Sequence, residues 1–220
     1  MTRPDSTDIT LVLDRSGSMG VIKEATIEAF NGFLASQRTG VGFARMTLIQ
    51  FDDQYEPLCR GLPLDSVAPL TASTYQPRGS TALLDAMGRA ITETGDRLRD
   101  MPEHERPGTV LFVTLTDGQE NSSRQFTLHQ VNDLISRQRD AYRWEFVFLA
   151  ANQDAIAAAS QMGISASHAM TFGHTAGGTA ACFDALDNQV HRLRKARSTG
   201  DTAAKVAFTQ SERDAADSNG

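Results

Sequence analysis

The chain has 220 residues, 40% of them hydrophobic and 22% charged, a composition that supports one domain with a core of its own. A net charge of −6 excludes a general nucleic-acid binder, because nothing broadly basic faces the phosphates. No apolar run approaches the roughly 18 residues of a membrane span, the first residues lack the apolar stretch of a signal peptide, and Cys59 and Cys182, with no CxxC spacing, make a thiolate metal site or disulfide framework unlikely as an expectation, so the expected compartment is the cytoplasm.

In chain order, residues 8–13 form a short β-rich apolar run that stops at Asp14 and reads as a strand covered on both faces. Ile22, Ala25, Ala29, Phe30 and Phe33 then recur at helical spacing over about 20–38. Residues 46–51 and 55–60 read as two antiparallel strands, with Asp52, Asp53 and Gln54 as the hairpin turn between them. Gly61 to Arg78 carries three prolines and little periodicity, so a long loop with one short turn is expected. A helix follows with Leu84, Met87, Ile91 and Leu98 on one face. Residues 109–116 are the strongest buried-strand signal, and they end at Asp117 and Gly118.

The next helix starts at a capping box, Thr127 with Gln130, and Phe126 is placed to staple against Val131. Residues 144–149 read as a strand closed by Asn152, which caps an alanine-rich helix. A weaker strand lies near 168–172, and the last helix shows Phe183, Leu186, Val190 and Leu193. Its basic end, His191 to Lys195, suits the helix macrodipole. This alternation predicts an α/β fold, a doubly wound and mainly parallel sheet with one antiparallel edge strand and helices on both faces. The domain is expected over residues 1–196. Residues 197–220 read as a polar tail in which Thr209 and Glu212 can box one short helical turn, docked either on the body or on a partner.

Ligands of open α/β sheets bind at the carboxyl ends of strands. There the sequence places Asp14, Ser16 and Ser18 after the first strand and Asp117 after the central one, while Gly79 and Ser80 bring in Thr81. Residues 14, 16 and 18 can point to one side of an extended stretch. Two carboxylates and three hydroxyls are an all-oxygen set, suited to a hard cation rather than to zinc or copper. Mg²⁺ takes six oxygens at about 2.1 Å and keeps several waters. Ser16, Ser18 and Thr81 suit direct coordination, and Asp14 and Asp117 suit holding the waters.

The pattern Asp14-x-Ser16-x-Ser18, then Thr81, then Asp117 resembles the metal-ion-dependent adhesion site (MIDAS) of von Willebrand factor A (VWA) domains. The likeness covers about residues 8–196, and all five motif positions carry the expected residue type. The runs Leu13–Met19, Gly79–Asp85 and Thr116–Asn121 look like the bacterial, intracellular branch of the family. The resemblance implies a VWA fold and a bound Mg²⁺, with Mn²⁺ or Ca²⁺ as substitutes. It also implies a partner protein whose Asp or Glu completes the metal's octahedron within an intracellular assembly, with Thr81 the ligand most sensitive to that event. Glu120 and Asn121 follow the Asp117 strand end and are expected to rim the partner surface.

Other readings compete at these positions. Ser16 and Ser18 suit capping the helix that follows. The five histidines, His104, His129, His168, His174 and His191, have no mutual ligand spacing and read as surface or satisfied core residues. A metal-dependent hydrolase using Asp14 is the alternative function. However, Ser16 stands where a haloacid-dehalogenase-type phosphatase needs its second Asp, and neither GxxxxGK[ST] nor a GxSxG elbow with a partner His occurs. The sequence therefore points to an interaction module rather than an enzyme.

Overall fold

The computed structural model describes residues 3–151, 155–201 and 207–218. Six strands form one sheet: β1 Arg3–Asp14, β2 Phe43–Phe51, β3 Tyr55–Pro63, β4 Pro107–Thr116, β5 Glu145–Ala151 and β6 Ala169–Phe172. Their order is β3-β2-β1-β4-β5-β6, and every pairing is parallel except that of β2 with β3. Among the helices, α1 spans Lys23–Arg38, α2 Leu83–Asp100, α3 Leu128–Tyr142, α4 Ala155–Gln161, α5 Ala176–Ser198 and α6 Gln210–Ser218.

The sheet is buried on both faces, and side-chain alternation divides the core in two. Ile9, Leu11 and Leu13 of β1 face Phe30 and Phe33 of α1 and Phe183, Leu186 and Val190 of α5. Val12 faces the other way, in a cluster with Ile49, Phe112 and Phe148 that Met87 and Ile91 of α2 and Val131 and Ile135 of α3 cover. Burying each such side chain contributes about 1.5–3 kcal/mol. The doubly wound, mainly parallel architecture with one antiparallel edge is therefore the one its hydrophobic pattern predicts.

Three segments differ from expectation. β1 begins five residues earlier than its apolar run, because Ser6 and Thr7 pair through their backbones with Phe43 and Ala44 of β2 whatever their side chains. β3 likewise runs on to Pro63, and a 3-10 turn at Leu64–Ser66 opens the long loop that follows. After α5 the chain is not free of core contacts. α6 is a nine-residue helix, and Phe208 before it and Ala216 within it are buried against the α1–α5 face. The Thr209–Glu212 box forms, Glu212 pairs with Arg192 at 2.7 Å, and Arg213 donates to the carbonyls of Ala166 and Ser167. The segment thus docks on the body. The capping box at Thr127 also forms as read. Asn152 lies outside the described residues. Among the described residues no helix is long and apolar enough to cross a membrane.

Candidate metal centre

The chain leaves β1 through α1 to β2 on one side, and leaves β4 through α3 to β5 on the other. Between two crossovers that diverge in this way, a crevice opens at the carboxyl ends of β1 and β4. Asp14 ends β1, and Asp117 follows the last residue of β4. Thr81 arrives from a third direction. The loop carrying it is zipped to the β1 loop by Gly17 N–H to the Gly79 carbonyl at 3.2 Å and Arg78 N–H to the Arg15 carbonyl at 2.8 Å. Gly79 takes φ +65°, a left-handed turn that favours glycine, as the chain swings into the site.

Four of the five predicted residues are joined by direct hydrogen bonds. Asp14 Oδ1 accepts from the Ser16 backbone N–H at 2.6 Å, and Asp14 Oδ2 accepts from the Thr116 hydroxyl at 2.5 Å. The hydroxyls of Ser16 and Ser18 lie 3.2 Å apart, and Ser18 Oγ donates to Asp117 Oδ1 at 2.8 Å. Thr81 closes against Gly118, where any side chain would sit 2.8 Å from the Thr81 hydroxyl. The glycine after Asp117 is what admits Thr81. Asp14, Ser16 and Thr81 are buried, whereas Ser18 is exposed at the mouth.

Ser16 occupies the N-cap position of a 3-10 turn over Gly17–Ile22, yet its side chain makes no capping hydrogen bond. The capping explanation for the two serines therefore fails at the one place where it could apply. Among the described residues the Thr81 hydroxyl also makes no hydrogen bond within the protein. The serine hydroxyls are tied to each other and to Asp117 rather than to a helix end.

The electrostatics favour a positive charge at this point. Burial pushes the Asp14 carboxyl up to about 6, against the hydrogen bonds from Thr116 and Ser16 that favour its charged form, and neighbouring Asp117 adds to the rise. Burial also raises Asp117, opposed by the Ser18 hydroxyl and by His174. The Asp117 Oδ2 atom is buried with no hydrogen-bond partner. Among the described residues no three His, Cys, Asp or Glu side chains cluster to hold a metal by themselves. A cation here would depend on hydroxyls and water. Two desolvated carboxylates and three neutral hydroxyls fit a hard divalent ion.

The von Willebrand factor type A domain profile matches residues 8–179, from the middle of β1 into α5. The chain belongs to this family. No curated protein matches the sequence. Among solved structures, the VWA fold here is similar to proximal thread matrix protein 1 from the mussel byssus, at TM-score 0.59 and 15% identity over 86% of this chain and 46% of that one. It is also similar to a von Willebrand factor type A protein from Catenulispora acidiphila, at TM-score 0.57 and 15% identity over 84% and 43%. A second crystal of the mussel protein, described as having a zinc-occupied MIDAS motif, matches at TM-score 0.52 and 17% identity over 86% and 45%. The chain spans less than half the length of the protein in each of these three structures.

Several residues of this VWA site were not visible from sequence. Arg15, inside the Asp-x-Ser-x-Ser motif, turns away from Asp14. It is buried against Asp52 Oδ2 at 3.0 Å and Glu56 at 2.6 Å, and Arg78 shares Asp52 at 2.9 Å. Asp52 forms the expected turn through Gln54 N–H at 2.6 Å, and it also anchors the two arginines beneath the site. The Tyr75 hydroxyl, fully buried, donates to the Asp14 carbonyl at 2.6 Å.

His174, read from sequence as a surface or core residue, places Nε2 at 2.9 Å from Asp117 Oδ2. No spacing to the other histidines announces it, because it enters from the end of β6. Glu120 accepts from Leu84 N–H at 2.9 Å and from Ser123 N–H at 2.7 Å, so its carboxylate lashes the β4–α3 loop to the start of α2. Asn121, exposed, accepts from Thr81 N–H at 2.9 Å and steadies that residue's backbone.

Proposed function

We propose that this VWA domain is a metal-dependent protein-interaction module of the bacterial intracellular type, held together at Asp14, Ser16, Ser18, Thr81 and Asp117. In this reading the Ser16, Ser18 and Thr81 hydroxyls hold Mg²⁺ directly, and the two carboxylates hold its waters. A bound Mg²⁺ supplies a positive centre that neutral hydroxyls leave electrophilic, and so favours an external anion. The recognised group is an Asp or Glu side chain of a partner protein, and Thr81, on the loop Asn121 steadies, is the ligand most responsive to its arrival. The module spans about residues 1–196, with 197–220 an appended segment, and its setting is a cytoplasmic assembly. Mn²⁺ and Ca²⁺, which also take oxygen ligands, are expected to substitute.

The observation that carries the reading is the hydroxyl set: Ser16 at a cap position without capping, linked through Ser18 to a buried carboxylate. The hydrolase alternative needs a free base beside the site. His174 is the candidate closest to Asp117, and its Nε2 faces that carboxylate rather than open space. The test immobilises the wild-type chain and Asp14→Ala and exposes both to source-cell lysate with Mg²⁺ or EDTA. A protein retained only by wild type with Mg²⁺ supports the module. Identical retention in all four conditions removes the metal from recognition, and release of phosphate from model esters would favour the hydrolase.

A further inference from the structure

His104 and His129 lie exposed beside surface carboxylates, and His168 and His191 face Glu145 and Asp187. His174 alone reaches the centre. Its Nε2 and the Asp117 Oδ2 atom are both buried, neither makes an aligned hydrogen bond, and they face each other at ion-pair distance, 2.9 Å. Each is therefore the other's polar neighbour. On the far side of the same carboxylate, Oδ1 accepts from the Ser18 hydroxyl at 2.8 Å.

We propose that His174 is a positioning residue of the metal centre: gripping the outer oxygen of Asp117, it fixes the plane of the carboxylate that aims the Ser18 hydroxyl into the site. A carboxylate held by one oxygen swings about its last side-chain bond, and one held at both oxygens does not. With its proton committed to Asp117, the Ser18 oxygen keeps a lone pair directed at a cation. Partners one step outside a metal's ligands work in this way, setting ligand orientation without touching the ion.

The segment that carries His174 is built to hold it still. It sits in the short turn between β6 and α5. Gly173 N–H donates to the Ala216 carbonyl of α6 at 3.0 Å, and the Gly173 carbonyl accepts from Thr175 N–H at 2.8 Å. Thr175 caps α5 by accepting from Gly178 N–H at 3.1 Å. Gly178 itself lies so close to the Gly173 carbonyl that a side chain there would collide with it. The imidazole therefore approaches Asp117 from a turn pinned on both sides, including by the helix that docks after α5.

This inference rests on the metal-centre reading, and the test separates the two. Mn²⁺ is titrated into the full chain, with free Mn²⁺ followed by electron paramagnetic resonance, for wild type, His174→Leu and His174→Gln. Melting in EDTA is recorded for each. The expected result is affinity about 10–100-fold weaker for the leucine variant, most of it restored by glutamine, which keeps an N–H donor, with the melting temperatures in EDTA close together. Leucine affinity within about twofold of wild type overturns the proposal, and so does a glutamine variant as weak as leucine, since packing alone would then explain the loss. If the leucine variant melts early, the ring nitrogens of His174 in wild type are followed by NMR through a Mg²⁺ titration. Resonances that move in step with saturation support the role, and static ones overturn it. A wild-type chain that takes up neither ion overturns the metal-centre reading, and this inference with it.

Discussion

Two aspartates on one strand show what the fold does with a buried charge. Asp8 and Asp14 both lie on β1, at 1% and 0% exposure. Asp8 receives a bidentate guanidinium, with Arg97 donating to its two oxygens at 2.7 and 2.8 Å. Asp14 receives an amide and a hydroxyl but no cation, and burial holds its carboxyl up at about 6. A cation was available in the next residue, yet Arg15 is turned onto Asp52. The chain neutralises the aspartate that serves structure and withholds a counter-charge from the one that ends a strand at the crevice. An uncompensated buried carboxylate costs stability unless something from outside completes it.

The largest expected effect breaks the structural half of the comparison. Asp8→Ala strands the Arg97 guanidinium beside the sheet and should cost about 3 kcal/mol of unfolding free energy, as removal of one member of a mostly buried pair does. Urea unfolding should give the same loss in Mg²⁺ and in EDTA. A loss that shrinks when metal is added would mean that the two aspartates are not independent.

The functional half should show in the pH dependence. The folded-state value of Asp14, about 6, lies above the ordinary aspartate value of 3.8, so folding takes up a proton between them. The contribution of this group is present below the unfolded value and is lost as pH rises through about 6. That rise corresponds to roughly 3 kcal/mol. In EDTA, wild type minus Asp14→Asn should therefore lose stability by up to that amount between pH 4 and 7. Saturating Mg²⁺ should abolish that loss with rising pH, because metal and proton compete for the same carboxylate environment. A flat difference profile in EDTA would mean that Asp14 is compensated in a way its contacts do not show. Metal itself should add about 2.7 kcal/mol at a hundredfold excess over its dissociation constant, and Thr81→Ala should remove most of that gain.

The same contrast explains which parts could be read from the sequence. The continuous apolar run of β4 and the helical stripe of α2 announce themselves, because burial on both sheet faces and on one helix face leaves distinct periods. Asp14, Ser16 and Ser18 share one side because of a strand end and a spacing of two, whereas Thr81 and Asp117 were joined to them through the resemblance to the family motif. His174 was not legible, since its approach to Asp117 depends on β6 lying two strands from β4 and on a turn pinned by α6. The pairing of Arg15 was hidden as well. A charged residue inside a metal motif carries no local sign of pointing toward Asp52. The docking of α6 rests on one aromatic, one alanine, an ion pair and backbone carbonyls, which make no hydrophobic period.

The smallest effect carries the comparison from carboxylates to hydroxyls. Thr127 and Ser16 both stand at helix starts. Thr127 accepts from the Gln130 N–H at 3.3 Å in a complete capping box, whereas Ser16 caps nothing. In EDTA, Thr127→Ala should cost about 1 kcal/mol, and Ser16→Ala only a few tenths, the range of a substitution that removes no satisfied cap. Adding Mg²⁺ should reverse the order. The threonine variant keeps its full metal-dependent stabilisation, while the serine variant loses most of it, because that hydroxyl caps no helix and lies at the centre. Thermal melts of the two variants with and without Mg²⁺ make the comparison. A Ser16→Ala variant that loses as much as Thr127→Ala in EDTA would return Ser16 to the ordinary class of capping residues and remove the strongest support for the site.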